Sequence, residues 1–474
     1  MVNREGMFKT SDYTSLLQQL EQFFAGTIQK KPITQHLDPE ALRDQLQLEL
    51  PAVGESIEQL QSHIATYLKY AVKTAHPLYF NQLWGGVDAP CLMADLITSA
   101  TNTSMYTYEV APVATLIEKQ LITKLGSLVG FPQPEGQFTT GGSNGNLMAL
   151  ALARHQILPE IKRNGMANSP NLVALVSEES HYSFAKAVHL LGIGVEQLWK
   201  VPADEQGRLI VSEAERLIAQ AKAQAALPFF IAGTAGTTVR GAFDPLEAIA
   251  AIAQREKLWF HVDGAWGAGV LLSTQHRHLM RGVEHADSVV WDAHKMMGMT
   301  LMCSVLLVKQ RGTMLNTFST HGTDYLFHAE EADPLDLGHS TMHCGRRVDA
   351  LKLWLTWKHL GDDGWEARIN HYFNLAAHAE AIIQAHESLD LVTPRHSLNL
   401  CFQYRPQDPQ YDANELTLQI RQVLLEEGIA MVNYAQIAGK VVFRLVLCNN
   451  QSSAADIDDF FDALVAVGRR LEGQ

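Results

Sequence analysis

Lys295 lies in "WDAHKMMG" (291–298), immediately after the apolar run "DSVVW" (287–291). A lysine there is either a charge at a strand end or an inward-facing amine, and an inward amine is a nucleophile once it sheds its proton. Asp263 closes a second apolar run, "LWFHVD" (258–263), and small residues follow it in "HVDGAWGAG" (261–269). Open α/β sheets bind ligands at the carboxyl ends of their strands, so this carboxylate serves a ligand or caps the next segment. The stretch "FTTGGSNGNLMALALAR" (138–154) passes from a glycine-rich turn into a helical pattern. Amides at a helix start bind anions, but the stretch has neither a Walker lysine nor GxGxxG, and an ordinary helix-start turn fits it equally well. His181 in "SEESHYSFAKA" (177–187) is a single histidine in a polar loop, a setting in which solvation is the commoner fate. Thr237 and Thr238 end "FIAGTAGTTVRG" as ligand contacts or turn formers, and Arg444 interrupts "VVFRLVL" (441–447) as an edge charge or a carboxylate-binding fork.

The elements that must position these residues form a regular series. Apolar runs at "NLVALVS" (171–177), "PFFIAGT" (228–234), "LWFHVD", "DSVVW" and "CSVLLV" (303–308) suit strands covered on both faces. Helical segments separate them. Ser212 with Glu215 suggests a capping box, and Asp244-Pro245 with Glu247 an N-cap. The alternation predicts a mostly parallel α/β sheet. Residues 1–80 read as helical. Beyond about 350, helices bracket the strands "LNLCFQY" and "VVFRLVL", as in a small α+β unit. Residues 312–345 follow neither period, which marks a functional loop.

Composition sets the outer limits. The chain has 474 residues, 47% apolar and 19% charged, a length that exceeds a single core. Its net charge of −14 and lack of a basic stripe argue against nucleic acid. An anionic substrate would therefore need a dedicated cation. No apolar run is long enough to span a bilayer, and the N-terminus lacks a signal-peptide core, so no membrane partner and a cytoplasmic location are expected. Five scattered cysteines without CxxC read as free thiols, and no metal site is expected.

Taken in order, "HPLYFNQLWGGVD" (76–88), "NTSMYTYEVAP", "GGSNGN", "SHYSFAKA", "AGTAGTTVRGAFDP", "HVDGAWGAG", "DSVVWDAHKMMG", "CGRRVDALKLW" and "VFRLVLCNN" resemble the pyridoxal-phosphate-dependent group II amino-acid decarboxylases, in the branch holding the glutamate, cysteine sulfinate and aspartate decarboxylases. The resemblance implies the type I fold of PLP-dependent transferases, with a central seven-stranded-type, mostly parallel sheet and helices on both faces. It implies an N-terminal helical segment over 1–80, a large cofactor-binding domain over 81–350 and a small α+β domain over 351–474. It also implies roles, carried over by position. Lys295 would bond the cofactor aldehyde, His294 would approach its phosphate, and Gly142, Ser143 and Asn144 would cradle that phosphate. Asp263 would pair with the pyridine nitrogen, Ala265 would pack near the ring, His181 would stack on its face and Thr238 would lie by its hydroxyl. Tyr325 in the long loop would protonate Cα, typically across a homodimer with shared sites. Gln82, Leu83, Trp84 and Arg444 would contact an acidic amino-acid substrate.

The same resemblance implies decarboxylation of cysteine sulfinate to hypotaurine or of aspartate to β-alanine, because the bulky Trp84 stands where glutamate decarboxylases carry a small residue. Glutamate decarboxylation to 4-aminobutanoate and an aminotransferase of the same fold are the alternatives. Two departures stand out: Asp292-Ala293 replaces the family's Asn-Pro, and Gly264 replaces its alanine. An acid beside a phosphate is unfavourable unless it points away.

Overall fold

Residues 10–28, 32–320 and 335–473 are described by a computed structural model. Its strands are β1 (Tyr79–Phe80), β2 (Glu135–Thr139), β3 (Leu172–Ser177), β4 (Leu198–Val201), β5 (Leu227–Thr234), β6 (Trp259–Asp263), β7 (Ser288–Asp292), β8 (Ser304–Val308), β9 (Leu389–Leu391), β10 (Asn399–Tyr404), β11 (Met431–Ile437) and β12 (Lys440–Val446). The chain divides into two units, one of residues 87–376 with 393–400 and the other of the remainder.

The larger unit holds a seven-stranded sheet in the order β2-β8-β7-β6-β5-β3-β4. β8 runs antiparallel to β2 and β7, and the other pairings are parallel. Every residue of β3, β6, β7 and β8 is buried, and successive side chains of a strand point to opposite faces, so both faces are covered. The helix Gly142–Ile157 sets its Met148, Leu150 and Leu152 into this core with Phe230, Trp259 and Val290. Its approach is close: a Cβ on Gly145 would stand 2.5 Å from Cγ2 of Val290.

The five apolar runs became β3, β5, β6, β7 and β8, each within a residue or so of the expected ends. The sheet's edge strands β2 and β4 were not anticipated, since "EGQFT" and "LWKV" are short and mix polar with apolar residues. The two expected helix starts are corrected. The first helix starts at Val211, before Ser212, without a side-chain cap, and the second starts at Leu246 behind Pro245. Asp244 turns inward instead and accepts from the amides of Leu209 and Thr234, both at 2.7 Å.

In the other unit, β1-β11-β12-β10-β9 form a five-stranded sheet, with β1 parallel to β11. The helices Ala413–Glu426 and Ala454–Leu471 start on side-chain caps from Asp412 and Ser453. No helix among the described residues is long and apolar enough to cross a membrane.

Candidate active site

Asp263 and Asp292 are the last residues of β6 and β7, and both side chains are buried. β7 then breaks into turns over residues 293–298, in which the Lys295 amide donates to the Asp292 carbonyl (3.0 Å) and the Gly298 amide to the Lys295 carbonyl (2.9 Å). Met296 and Met297 are driven into the core, which anchors the turn and leaves Lys295 half-buried. The turn holds without the proline expected at 293. The His294 amide donates to the Cys303 carbonyl (3.0 Å), and the Cys303 amide donates to His294 Nδ1 (3.1 Å).

Asp292 does not point away from the helix start. A Cβ on Gly142 would meet its Oδ2 at 2.8 Å and the Ala265 Cβ at 3.1 Å, so only glycine fits there. The Asp292 carboxylate is paired with Lys295 Nζ at 3.0 Å and accepts from Ser304 Oγ at 2.5 Å, with His294 Nε2 at 3.6 Å. Burial alone would push this carboxyl up, but the Lys295 charge, with the His294 ring and the Ser304 hydroxyl, outweighs it and holds it below the usual carboxylate range. A lysine paired with an acid at this position is what answers the departure from Asn-Pro.

Asp263 is held by neutral groups. Asn146 Nδ2 donates to its Oδ2 (2.9 Å) and the Ala265 amide to its Oδ1 (3.2 Å). His181 lies within electrostatic reach of Asp263, Lys295 and Asp292, and burial before all else pushes its pKa down. Its Nδ1 accepts from the Ser183 amide (3.2 Å), so the neutral ring carries its proton on Nε2. Thr238 lies beyond β5, in a turn whose Gly241 amide donates to the Thr237 carbonyl, and its own carbonyl accepts from Asn399. Ser143 and Asn144 stand in the first turn of the helix Gly142–Ile157. Asn144 Oδ1 is buried without a hydrogen-bond partner among the described residues, which leaves this amide free to turn toward an anion.

Of the residues expected to act, Gly142, Ser143, Asn144, His181, Thr238, Asp263, Ala265, His294 and Lys295 all belong to the larger unit. Gln82, Leu83, Trp84 and Arg444 belong to the other, where Arg444 Nη2 donates to the Asn81 carbonyl (2.9 Å) and Trp84 packs on Tyr79 with ring centroids 5.7 Å apart. Tyr325 lies outside the described residues. Sequence reasoning missed Asn146, His261, Ser288 and Ser304. The available signal was a histidine at 261 inside an apolar strand, two residues before Asp263 and hence on the same side of it.

A lysine amine, a strand-end carboxylate and a glycine-floored helix start together define a site for a phosphorylated aldehyde cofactor. Residues 39–405 match the family described as pyridoxal-dependent decarboxylase conserved domain, and the chain belongs to that family. It is 40% identical over 463 residues to cysteine sulfinic acid decarboxylase of Mus musculus, covering 95% of this chain and 94% of that one. It is 39% identical to the acidic amino acid decarboxylase GADL1 of Mus musculus, over 91% of this chain and 81% of that one. The crystal structure of mouse CSAD superposes with a TM-score of 0.92 at 38% identity, covering 97% of this chain and 99% of that one. The fold is accordingly the type I fold of PLP-dependent enzymes, the chain is an amino-acid decarboxylase, and its cofactor is pyridoxal 5'-phosphate. The residues fit that group: the Gly142 floor admits no side chain, the Asn144 side-chain oxygen is buried without a partner among the described residues, and Lys295 and Asp263 supply an amine and an acid.

Proposed function

We propose that this chain removes the α-carboxylate of a short acidic amino acid, cysteine sulfinate or aspartate in preference to glutamate, and that it does so as a cytoplasmic homodimer. The observation that carries the reading is the gathering of Lys295, Asp263 and a neutral His181 in one electrostatic environment of the larger unit. When bound, pyridoxal phosphate supplies a conjugated ring that accepts the electron pair left at Cα as carbon dioxide departs.

The chain's own residues do the rest. Lys295 Nζ is the amine that would hold the cofactor aldehyde and give way to the substrate amine. Asp263, ionised, would keep the proton on the pyridine nitrogen. His181, neutral, would lie against the ring and add no charge that competes with that proton. The backbone amides of Gly142 and Ser143 and the side-chain amide of Asn144 would take the phosphate at the helix start, with His294 beside them and Ala265 and Thr238 flanking the ring. Tyr325 would return a proton to Cα. Arg444 would bind a substrate carboxylate with its planar donors, and the bulk of Trp84, beside Gln82 and Leu83, would favour a short side chain.

The sulfinate and acidic substrates named for the relatives support the substrate class. Support for a second copy comes from exposed apolar side chains of the larger unit, Met93, Leu96 and Ile97 on one helix and Val113 and Leu116 on another. Among the described residues no cysteine forms a disulfide, which suits a reducing compartment. Incubation with each acid separately tests the substrate, with carbon dioxide and amine product measured in the absence of any keto acid. The shorter acids should give the higher kcat/KM, and a higher value for glutamate than for both removes the argument from Trp84.

A further inference from the structure

Behind Asp263 lies a line of buried polar groups that the reaction does not call on directly. Trp259 Nε1 donates to Ser288 Oγ (2.8 Å), Ser288 Oγ meets His261 Nδ1 (2.8 Å), His261 Nε2 meets Asn146 Oδ1 (2.9 Å) and Asn146 Nδ2 donates to Asp263 Oδ2 (2.9 Å). His261 and Ser288 are directly paired in the β6–β7 ladder, and Ser288, His261 and Asn146 are all 1% exposed or less.

The proton positions along this line follow from chemistry. An ionised carboxylate only accepts, so Asn146 must turn its NH2 toward Asp263, and its second N–H goes to Ser183 Oγ (3.0 Å). Oδ1 of Asn146 therefore faces His261, and Nε2 of that ring must be the donor. Burial pushes the His261 pKa down to about 4, so near neutrality the ring carries one proton only and Nδ1 is an acceptor. Ser288 must then donate to Nδ1, and its lone pair receives the indole N–H, which can only give. With the imidazole proton on Nδ1, Nε2 would face Asn146 Oδ1, lone pair against lone pair. Turning the amide over would instead aim its oxygen at the Asp263 carboxylate. Every donor therefore points the same way, and dipoles so aligned polarise one another.

We propose that Trp259, Ser288, His261 and Asn146 form a one-directional hydrogen-bond relay that fixes the Asp263 carboxylate for the cofactor's ring nitrogen, with His261 as a positioning residue. The proposal rests on the reading of Asp263 given above, and its test separates the two.

The first measurement needs no cofactor. Long-range proton–nitrogen spectra of the ¹⁵N-histidine-labelled chain, with His261 assigned by its loss in His261→Gln, should show a neutral ring protonated on Nε2. That ring should not titrate between about pH 8 and about pH 5.5. A ring protonated on Nδ1, or one titrating near the ordinary histidine value, overturns the relay. The second measurement loads cofactor labelled with ¹⁵N in its ring. His261→Gln keeps a donor for Asn146 and an acceptor for Ser288, so affinity should stay within about twofold and the ring nitrogen should stay protonated. His261→Leu keeps neither, and should weaken cofactor binding roughly tenfold while moving the nitrogen signal toward the unprotonated form. Equal affinity and signals in all three proteins overturn the proposal. Should His261→Leu fail to fold, the wild-type tautomer decides alone. A wild-type chain that takes up no cofactor sinks the reading of the site, whereas a wrong tautomer sinks the relay.

Discussion

Asp263 and Asp292 close adjacent parallel strands, are buried to within a few percent of each other, and are held by opposite means. The first is held by dipoles, an amide side chain and a backbone amide. The second is held by the charge of Lys295 at 3.0 Å and by one hydroxyl, with the His294 ring 3.6 Å away. A carboxylate held by dipoles keeps its charge available for an incoming cationic partner. One already paired with a cation has that charge committed before any ligand arrives. Residue type and burial are the same in both cases, so the neighbours alone decide which acid is held by dipoles and which is committed to the lysine.

Lys295→Ala breaks the comparison most severely. Decarboxylation should fall by roughly a thousandfold or more, with loss of the covalent cofactor's visible absorbance. The cofactor-free protein should also lose about 3 kcal/mol, because Asp292 is left buried without its cation. Chemical denaturation measures the second effect, and an unchanged midpoint contradicts the pairing. Asp263→Asn removes a charge that has no cationic partner to strand among the described residues. It should cut kcat by roughly 10²–10³-fold and cost the cofactor-free protein about 1 kcal/mol, less than Lys295→Ala, because the new NH2 must face either Asn146 Nδ2 or the Ala265 amide. A variant with near-normal kcat would show that the ring nitrogen is protonated by something else.

Asp292→Asn takes a negative charge away from the glycine-floored helix start where the phosphate would lie. Cofactor affinity should rise by roughly threefold to tenfold, read by equilibrium dialysis at fixed pH, and weaker binding would mean that the acid assists the cofactor. The smallest effect is a difference in pH response. An imidazole held neutral in the fold but free to protonate when unfolded adds nothing to stability above about 6.5. Below that value it costs stability progressively, as pH falls toward about 4. Between those limits the wild type should lose more stability than His261→Gln, and parallel pH profiles would rule out a buried neutral His261. Asp292 acts in a lower window. Its depressed carboxyl contributes stability above its ordinary 3.8 that fades as pH falls below it.

The central strands were legible because a strand buried on both faces reads as an unbroken apolar run, and β3, β5, β6, β7 and β8 all do. The edge strands β2 and β4 were not, since "EGQFT" and "LWKV" break up the apolar signal with Glu135, Gln137 and Lys200. Local rules misplaced Ser212 and Asp244 because a capping signature is only a spacing. Asp244 found two backbone amides in other elements, contacts that depend on the tertiary fold. Lys295 and Asp263 could be singled out by type and position, but their roles came from the family resemblance. What no local pattern revealed was what each acid is bonded to. Asn146 comes from a helix, and His261 and Ser288 from two different strands.

Thr139, Ser304 and Asp292 occupy one transverse row across β2, β8 and β7, paired through the backbone on both sides and joined by hydrogen bonds from Thr139 to Ser304 to Asp292. A carboxylate mounted on a rung of this kind cannot swing aside as one on a loop would. If the phosphate lies at the Gly142 helix start, position 292 should act as a fixed setting for cofactor residence time. One substitution there should alter how long the cofactor stays, and, because Asp292 is paired with Lys295, it should also release that amine from its present position.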